Sequence, residues 1–88
     1  MQATAAEKLK SDLLDYIVSF RPSRDRVFTV REFNSQVMAK TFDTEARESF
    51  GSVLADLVAR DILQQRTPTD YNLSEHGVAF VRERRGEG

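Results

Sequence analysis

Eighty-eight residues leave room for one domain, and a domain of that size buries only about 60–65% of the surface its unfolded chain exposes. With 40% hydrophobic and 31% charged residues the composition is globular rather than disordered, and the absence of cysteine excludes disulfides, thiolate metal sites and thiol nucleophiles. Thirteen basic against fourteen acidic residues give a formal charge of −1, so no global field draws the chain onto phosphate, and nucleic-acid binding needs a local patch.

A single domain over residues 1–88 is expected, with an ordered core at about 5–83 and a frayed tail from Arg84 to Gly88. No apolar run approaches the roughly 18 residues of a membrane span. The opening stretch MQATAAEKLK lacks the apolar segment of a secretory leader, so the expected compartment is the cytoplasm and no membrane partner is anticipated.

Leu9, Leu13, Ile17 and Phe20 recur at helical spacing, with Leu14 and Val18 beside them, which predicts a helix from about Ala5 to Phe20. Arg21-Pro22-Ser23 stops it, because the residue before proline avoids helical backbone angles. Val27-Phe28 reads as a very short extended segment. Thr29-Val30-Arg31-Glu32 is a capping box, with the threonine hydroxyl taking the Glu32 amide and the Glu32 carboxylate reaching back to the Thr29 amide. A second helix is therefore expected from Val30 to about Ala39, burying Phe33, Val37 and Val30.

Lys40 to Asp43 form a connection with Phe42 as an apolar anchor, and Asp43 or Thr44 caps the next helix. Ala46, Phe50, Val53, Leu54, Leu57 and Val58 make a continuous helical stripe, so one uninterrupted third helix is predicted, ending at Arg60-Asp61. Ile62 to Arg66 and Tyr71 to Leu73 read as two strands around a turn at Pro68. Ser74 caps a last short helix that turns Val78, Ala79 and Val81 inward. The fold class is mainly α with a small β-hairpin.

Three stretches carry a resemblance. Thr29-Val30-Arg31-Glu32-Phe33, Val53-Leu54-Ala55-Asp56-Leu57-Val58-Ala59-Arg60-Asp61-Ile62-Leu63 and Tyr71-Asn72-Leu73-Ser74-Glu75-His76-Gly77 resemble the start of the second helix, the end of the recognition helix and the wing exit of small bacterial transcriptional regulators of the MarR and PadR type. The likeness runs from Phe28 to Val81. It implies a winged helix-turn-helix in the order helix-strand-helix-helix-strand-strand-helix, a non-enzymatic DNA-binding role and a two-fold dimer. Asp61 stands where that family often has glycine, and aspartate tolerates the left-handed backbone better than most residues.

On that reading the expected DNA-binding residues are Lys40, Thr41, Thr44, Arg47, Ser49, Ser52 and Arg66, with Arg47 placed to bond guanine and the threonines and lysine placed on phosphates. Asn34 and Ser35 are further phosphate candidates. The charge of the third helix opposes this: Asp43, Glu45, Glu48, Asp56 and Asp61 stand against Arg47 and Arg60, a net −3. Positive charge collects instead in the first loop, where Arg21, Arg24, Arg26 and Arg31 oppose Asp25, and in the tail, where Arg82, Arg84 and Arg85 oppose Glu83 and Glu87. A solvated surface, phosphate contact and an acidic protein partner are all compatible with such runs. The alternative function is a protein-interaction module that uses the acidic third helix or an outward Phe80. All six phenylalanines read first as core; Phe80 is the one with an outward alternative, because it cannot point inward together with Val78 and Val81 on one short helix, and outward it would form a dimer or partner patch.

No catalytic residue, cofactor or metal is expected. His76 is the sole histidine, and zinc requires three or four spaced ligands. Ser74, His76 and Asp70 make a triad only on paper, with no nucleophile elbow around the serine. Gly51 and Gly77 are isolated and form no phosphate-binding loop.

Overall fold

Thr4 begins the first helix with both halves of a cap: the Thr4 hydroxyl accepts from the Glu7 amide, and the Glu7 carboxylate accepts from the Thr4 amide. The computed structural model describes residues 4–86, and in it this helix, α1, spans Ala5–Val18, two residues shorter than the periodicity predicts. Leu9, Leu13, Leu14 and Ile17 form its buried stripe.

A connection across Arg21-Pro22-Ser23 leads to strand β1 (Val27–Thr29), which runs directly into α2 (Val30–Gln36). Thr29 caps α2 through its hydroxyl, 3.0 Å from the Glu32 amide. The returning half of the expected capping box is mostly diverted, because the Glu32 carboxylate turns to Arg26 and Tyr16. α2 is also shorter than expected. Val37 leaves the helix and a single 3₁₀ turn, Met38–Lys40, tightens the chain toward the next element.

Asp43 caps α3 (Thr44–Glu48), accepting from the Glu45 and Ala46 amides. The predicted single third helix is in fact two, because Ser49 separates α3 from α4 (Phe50–Ala59). Its amide and its hydroxyl both bond the Ala46 carbonyl, at 3.1 and 2.7 Å, closing a tight turn in place of the ordinary helical step. Serine and glycine close together, here Ser49 and Gly51, are a usual cause of such breaks. The backbone stays right-handed, and Val53 still donates to the Ser49 carbonyl at 2.9 Å. Ala46, Val53, Leu54 and Leu57 are therefore buried as one surface, flanked by half-buried Phe50 and Val58.

Asp61 turns the chain out of α4 with φ 59°, as its position after the helix requires. Strands β2 (Leu63–Gln65) and β3 (Asp70–Leu73) then form an antiparallel hairpin, and β1 joins β3 from the other side to give the order β1-β3-β2. The protein is thus mainly helical with a small three-stranded antiparallel sheet, one strand more than a bare hairpin. Phe28, Tyr71, Leu63 and Leu73 line its inner face against the helices.

Ser74 caps α5 (Glu75–Arg84), bonding the Gly77 amide at 2.9 Å and donating to the Asp61 carbonyl. Val81 is fully buried and Val78 half-buried, whereas Ala79, expected inside, is exposed. Nor does the tail fray at Arg84. α5 includes that residue, and Arg85 reaches back to the Val18 and Phe20 carbonyls, tying the end of α5 to the end of α1. Glu87 and Gly88 lie outside the described residues. Among the described residues no helix is long and apolar enough to cross a membrane.

Of the six phenylalanines, one departs from expectation. Phe28 and Phe33 are buried, Phe20, Phe50 and Phe80 half-buried, and Phe42 is 90% exposed. Asp43 has to stand clear to cap α3, and Phe42, its neighbour in an extended loop, points into solvent rather than anchoring it. Phe80, read as core with an outward position as the alternative, packs against the core with the Arg84 guanidinium 5.4 Å from its ring.

Candidate nucleic-acid interface

The residues expected to contact DNA fall in two separate places. Arg47 on α3 donates through one guanidinium nitrogen to the Met38 and Thr41 carbonyls, at 2.7 and 3.0 Å. Those carbonyls lie at the two ends of the segment joining the 3₁₀ turn to the loop, so Arg47 clamps the turn between α2 and α3 instead of presenting a free fork to a base. Thr41 and Ser49 likewise donate their hydroxyls locally, to the Val37 and Ala46 carbonyls. Ser35, the phosphate candidate on α2, donates to the Glu32 carbonyl. Thr44 is exposed at the start of α3. Lys40 is exposed, but it lines clefts shared with Asp12 and Asp15 of α1. Ser52 faces the start of α1, beside Glu7 and Lys10.

The acids of this surface remain. Asp56 is bridged by Lys10 at 3.4 Å and Arg60 at 2.8 Å, so the second base of the stretch is committed as well. Glu45 and Glu48 are exposed and join no ion pair among the described residues. Within a Debye length of about 10 Å such charges act on a bound phosphate directly.

Arg66 belongs to the second place, on the outer face of the sheet. Side chains alternate along a strand, so Leu63 points inward and Gln64 outward, and Arg66, in the bend that follows β2, lines the same cleft as Gln64. Gln64 pairs in register with Asn72, and Asn72 with Val27, so these three form one outward row. The α1–β1 connection folds over that row. Asn72 is only 3% exposed beneath it, and its Nδ2 donates to the Arg24 carbonyl at 3.1 Å and to the Leu73 carbonyl at 2.9 Å. Its Oδ1 has no hydrogen-bond partner among the described residues. Arg24, Asp25, Gln64, Gln65, Arg66 and Asn72 line an open cleft of about 680 Å³ there.

A second anchor holds this connection. The Arg26 guanidinium lies 4.7 Å from the Phe20 ring centre and 4.4 Å from that of Phe28, and bridges Glu32, which also accepts from the Tyr16 hydroxyl. One of the four loop arginines is therefore structural. Burial pushes the Glu32 carboxyl up, but the hydrogen bonds from Arg26 and Tyr16, the Arg26 charge and the Thr29 amide outweigh it, and the group ends below its ordinary value. Burial pushes the Tyr16 phenol up to about 12, helped by the bond to Glu32 and the Glu32 charge.

Folding thus favours ionised Glu32 and neutral Tyr16, and the two fail at opposite ends of the pH range. The Glu32 contribution is complete above the ordinary glutamate value and is lost as pH falls through the lowered one. The Tyr16 contribution is complete below 10.0 and is lost as pH rises toward about 12. Urea midpoints measured across pH are expected to drop at both ends, and Glu32→Gln is expected to flatten the acid limb. An acid limb unchanged in that variant would mean that the cluster does not form in solution.

Sequence reading singled out Arg66 and, separately, the loop charges, but not that Arg24 and Arg66 share a cleft. The available signal is the outward register of Gln64 and Asn72, with Arg66 just beyond the strand. The Ser74 hydroxyl, considered above for a triad, is occupied in capping α5, and among the described residues no group of three histidine, aspartate or glutamate side chains is placed to hold a metal ion. Compared with family models, curated proteins and solved structures, the chain matches none at a significant level.

Proposed function

We propose that this protein is a small winged helix-turn-helix DNA-binding protein, a non-enzymatic regulator of the MarR and PadR kind acting in the cytoplasm. The element order supports the reading: α2, a tight turn and the α3–α4 pair form the helix-turn-helix, and β2–β3 returns beside them as the wing. The observation that carries it is Arg66, exposed at the wing with no ion-pair partner among the described residues, where a wing meets phosphate.

Fluorescence anisotropy with random duplex DNA at low salt tests it. Binding in the range of about 10⁻⁴ to 10⁻⁶ M at physiological salt, tightening as salt falls, is expected for sequence-independent contact. A flat titration at low salt would remove the proposal.

Phe42 favours a second reading, a protein-docking module. It stands 90% exposed next to the acids of α3, so the partner-facing aromatic is Phe42 rather than Phe80. A chain that ignores DNA but captures a partner less well once it carries Phe42→Ser would fit this reading.

A further inference from the structure

A second cleft, of about 520 Å³, opens beside the first. It is lined by Pro22, Ser23, Arg24, Glu75, Val78, Ala79 and Arg82, so it runs between the α1–β1 connection and α5. Arg24 lines both clefts, which makes Arg66, Arg24 and Arg82 one continuous track from the wing across the connection to the last helix. These three arginines lie far apart in sequence and meet only through the β1-β3-β2 sheet and the packing of α5 on it.

Among the other cations, Lys10, Arg26 and Arg60 are in ion pairs, Arg47 is on carbonyls and Arg84 is over an aromatic ring, while Lys8, Arg21, Arg31 and Lys40 are exposed but line neither of these clefts. Arg24, Arg66 and Arg82 are exposed and make no ion pair among the described residues, although Asp25 and Glu75 line the same clefts. The rest of the lining includes Gln64, Gln65 and Ser23, neutral groups that hydrogen-bond sugar and phosphate oxygens without neutralising the arginines. Three bases against two acids make the track net positive, where exposed α3 has Glu45 and Glu48 and an already engaged Arg47. Because charge acts locally under physiological screening, the sign of each surface decides, not the total of −1.

We infer that the sugar–phosphate backbone of duplex DNA binds along the Arg66–Arg24–Arg82 track, on the sheet and α5 side, and not across α3 and α4. The inference rests on the DNA-binding reading above and assigns its surface. Each phosphate neutralised contributes about −0.9 to the slope of log K against log salt.

The test is duplex binding by anisotropy between 20 and about 200 mM salt, for the full chain, for the triple variant Arg24→Gln, Arg66→Gln, Arg82→Gln, and for Lys40→Gln with Thr44→Ala and Ser52→Ala. All six side chains are substituted without disturbing the core, and circular dichroism checks the fold of each variant. The arginine variant is expected to lose on the order of tenfold affinity per arginine at low salt and to flatten the slope by about 2 to 3, while the helix variant changes the slope by no more than about 1. An arginine variant that keeps the slope while the helix variant loses binding would overturn the track and leave the DNA-binding reading intact. Absence of binding by the wild type would overturn both.

Discussion

Gly77→Ala is expected to leave the protein without a cooperative folding transition. A Cβ at that position would sit 2.0 Å from the Ile62 carbonyl oxygen and 2.9 Å from its carbon, and both are backbone atoms that no rotamer change can move aside. α5 or the α4–β2 junction would have to shift, and the two are knotted together. Ser74 donates to the Asp61 carbonyl from its hydroxyl and to the Ile62 carbonyl from its amide, while its hydroxyl caps Gly77. Overpacking and loss of these bonds fall among the mechanisms that cost upwards of about 4 kcal/mol, close to the whole stability of a small domain. Gly51→Ala is the control, since its Cβ would meet nothing within 4 Å and the position is exposed and helical. That change is expected to stabilise by up to about 1 kcal/mol. Thermal melts of the two variants check both. A Gly77→Ala protein that melts like the wild type would mean that α5 does not pack on Ile62 as described.

What the sequence made legible was set by neighbours in the chain. The Thr29 and Ser74 caps, the apolar stripe through Leu57 and the left-handed turn at Asp61 each depend on a few adjacent residues, and each is found where the sequence places it, whereas the first helix ends at Val18, two residues ahead of the expected stop. The break at Ser49 escaped because an apolar stripe records which side faces inward, and a one-residue interruption that stays right-handed hardly changes that side. The cap at Thr4 is a local signal of the same kind, carried by Thr4-Ala5-Ala6-Glu7. Phe42 departs from its expected place as an anchor because hydrophobicity says what a side chain gains by burial, not whether a capping neighbour leaves it room to turn inward.

The candidate site was less legible for a different reason. Whether a charged side chain is free depends on partners distant in sequence. Asp56 takes Lys10 from another helix, Arg26 takes Glu32 and two phenylalanine rings, and Arg47 takes two carbonyls of a turn it helps to close. Counting charges along the third helix gave its sign but not which of its bases were already engaged. In the sequence Arg24 and Arg82 stand only as members of charge runs, because their common surface exists only after the sheet has closed.

Phe33→Ala is expected to show how far that surface depends on the core behind it. Phe33 is fully buried, stacked on Phe28 at 5.8 Å and edge-on to Tyr16 and Phe50 at 6.1 and 6.4 Å, so one ring joins α1, β1, α2 and α4. Removing it costs about 3–5 kcal/mol, the transfer of the ring plus the cavity it leaves. With Phe33 gone, Phe28 loses its stacked neighbour beneath Arg26, and the connection bearing Arg24 loses part of its footing. Phe33→Leu keeps most of the volume and is expected to cost less, retaining a cooperative urea transition at a lower midpoint. If the track binds DNA, Phe33→Leu should bind duplex with a nearly unchanged salt slope, because its arginines keep their places. A Phe33→Ala protein as stable as the wild type would show that the ring is not the junction of these four elements.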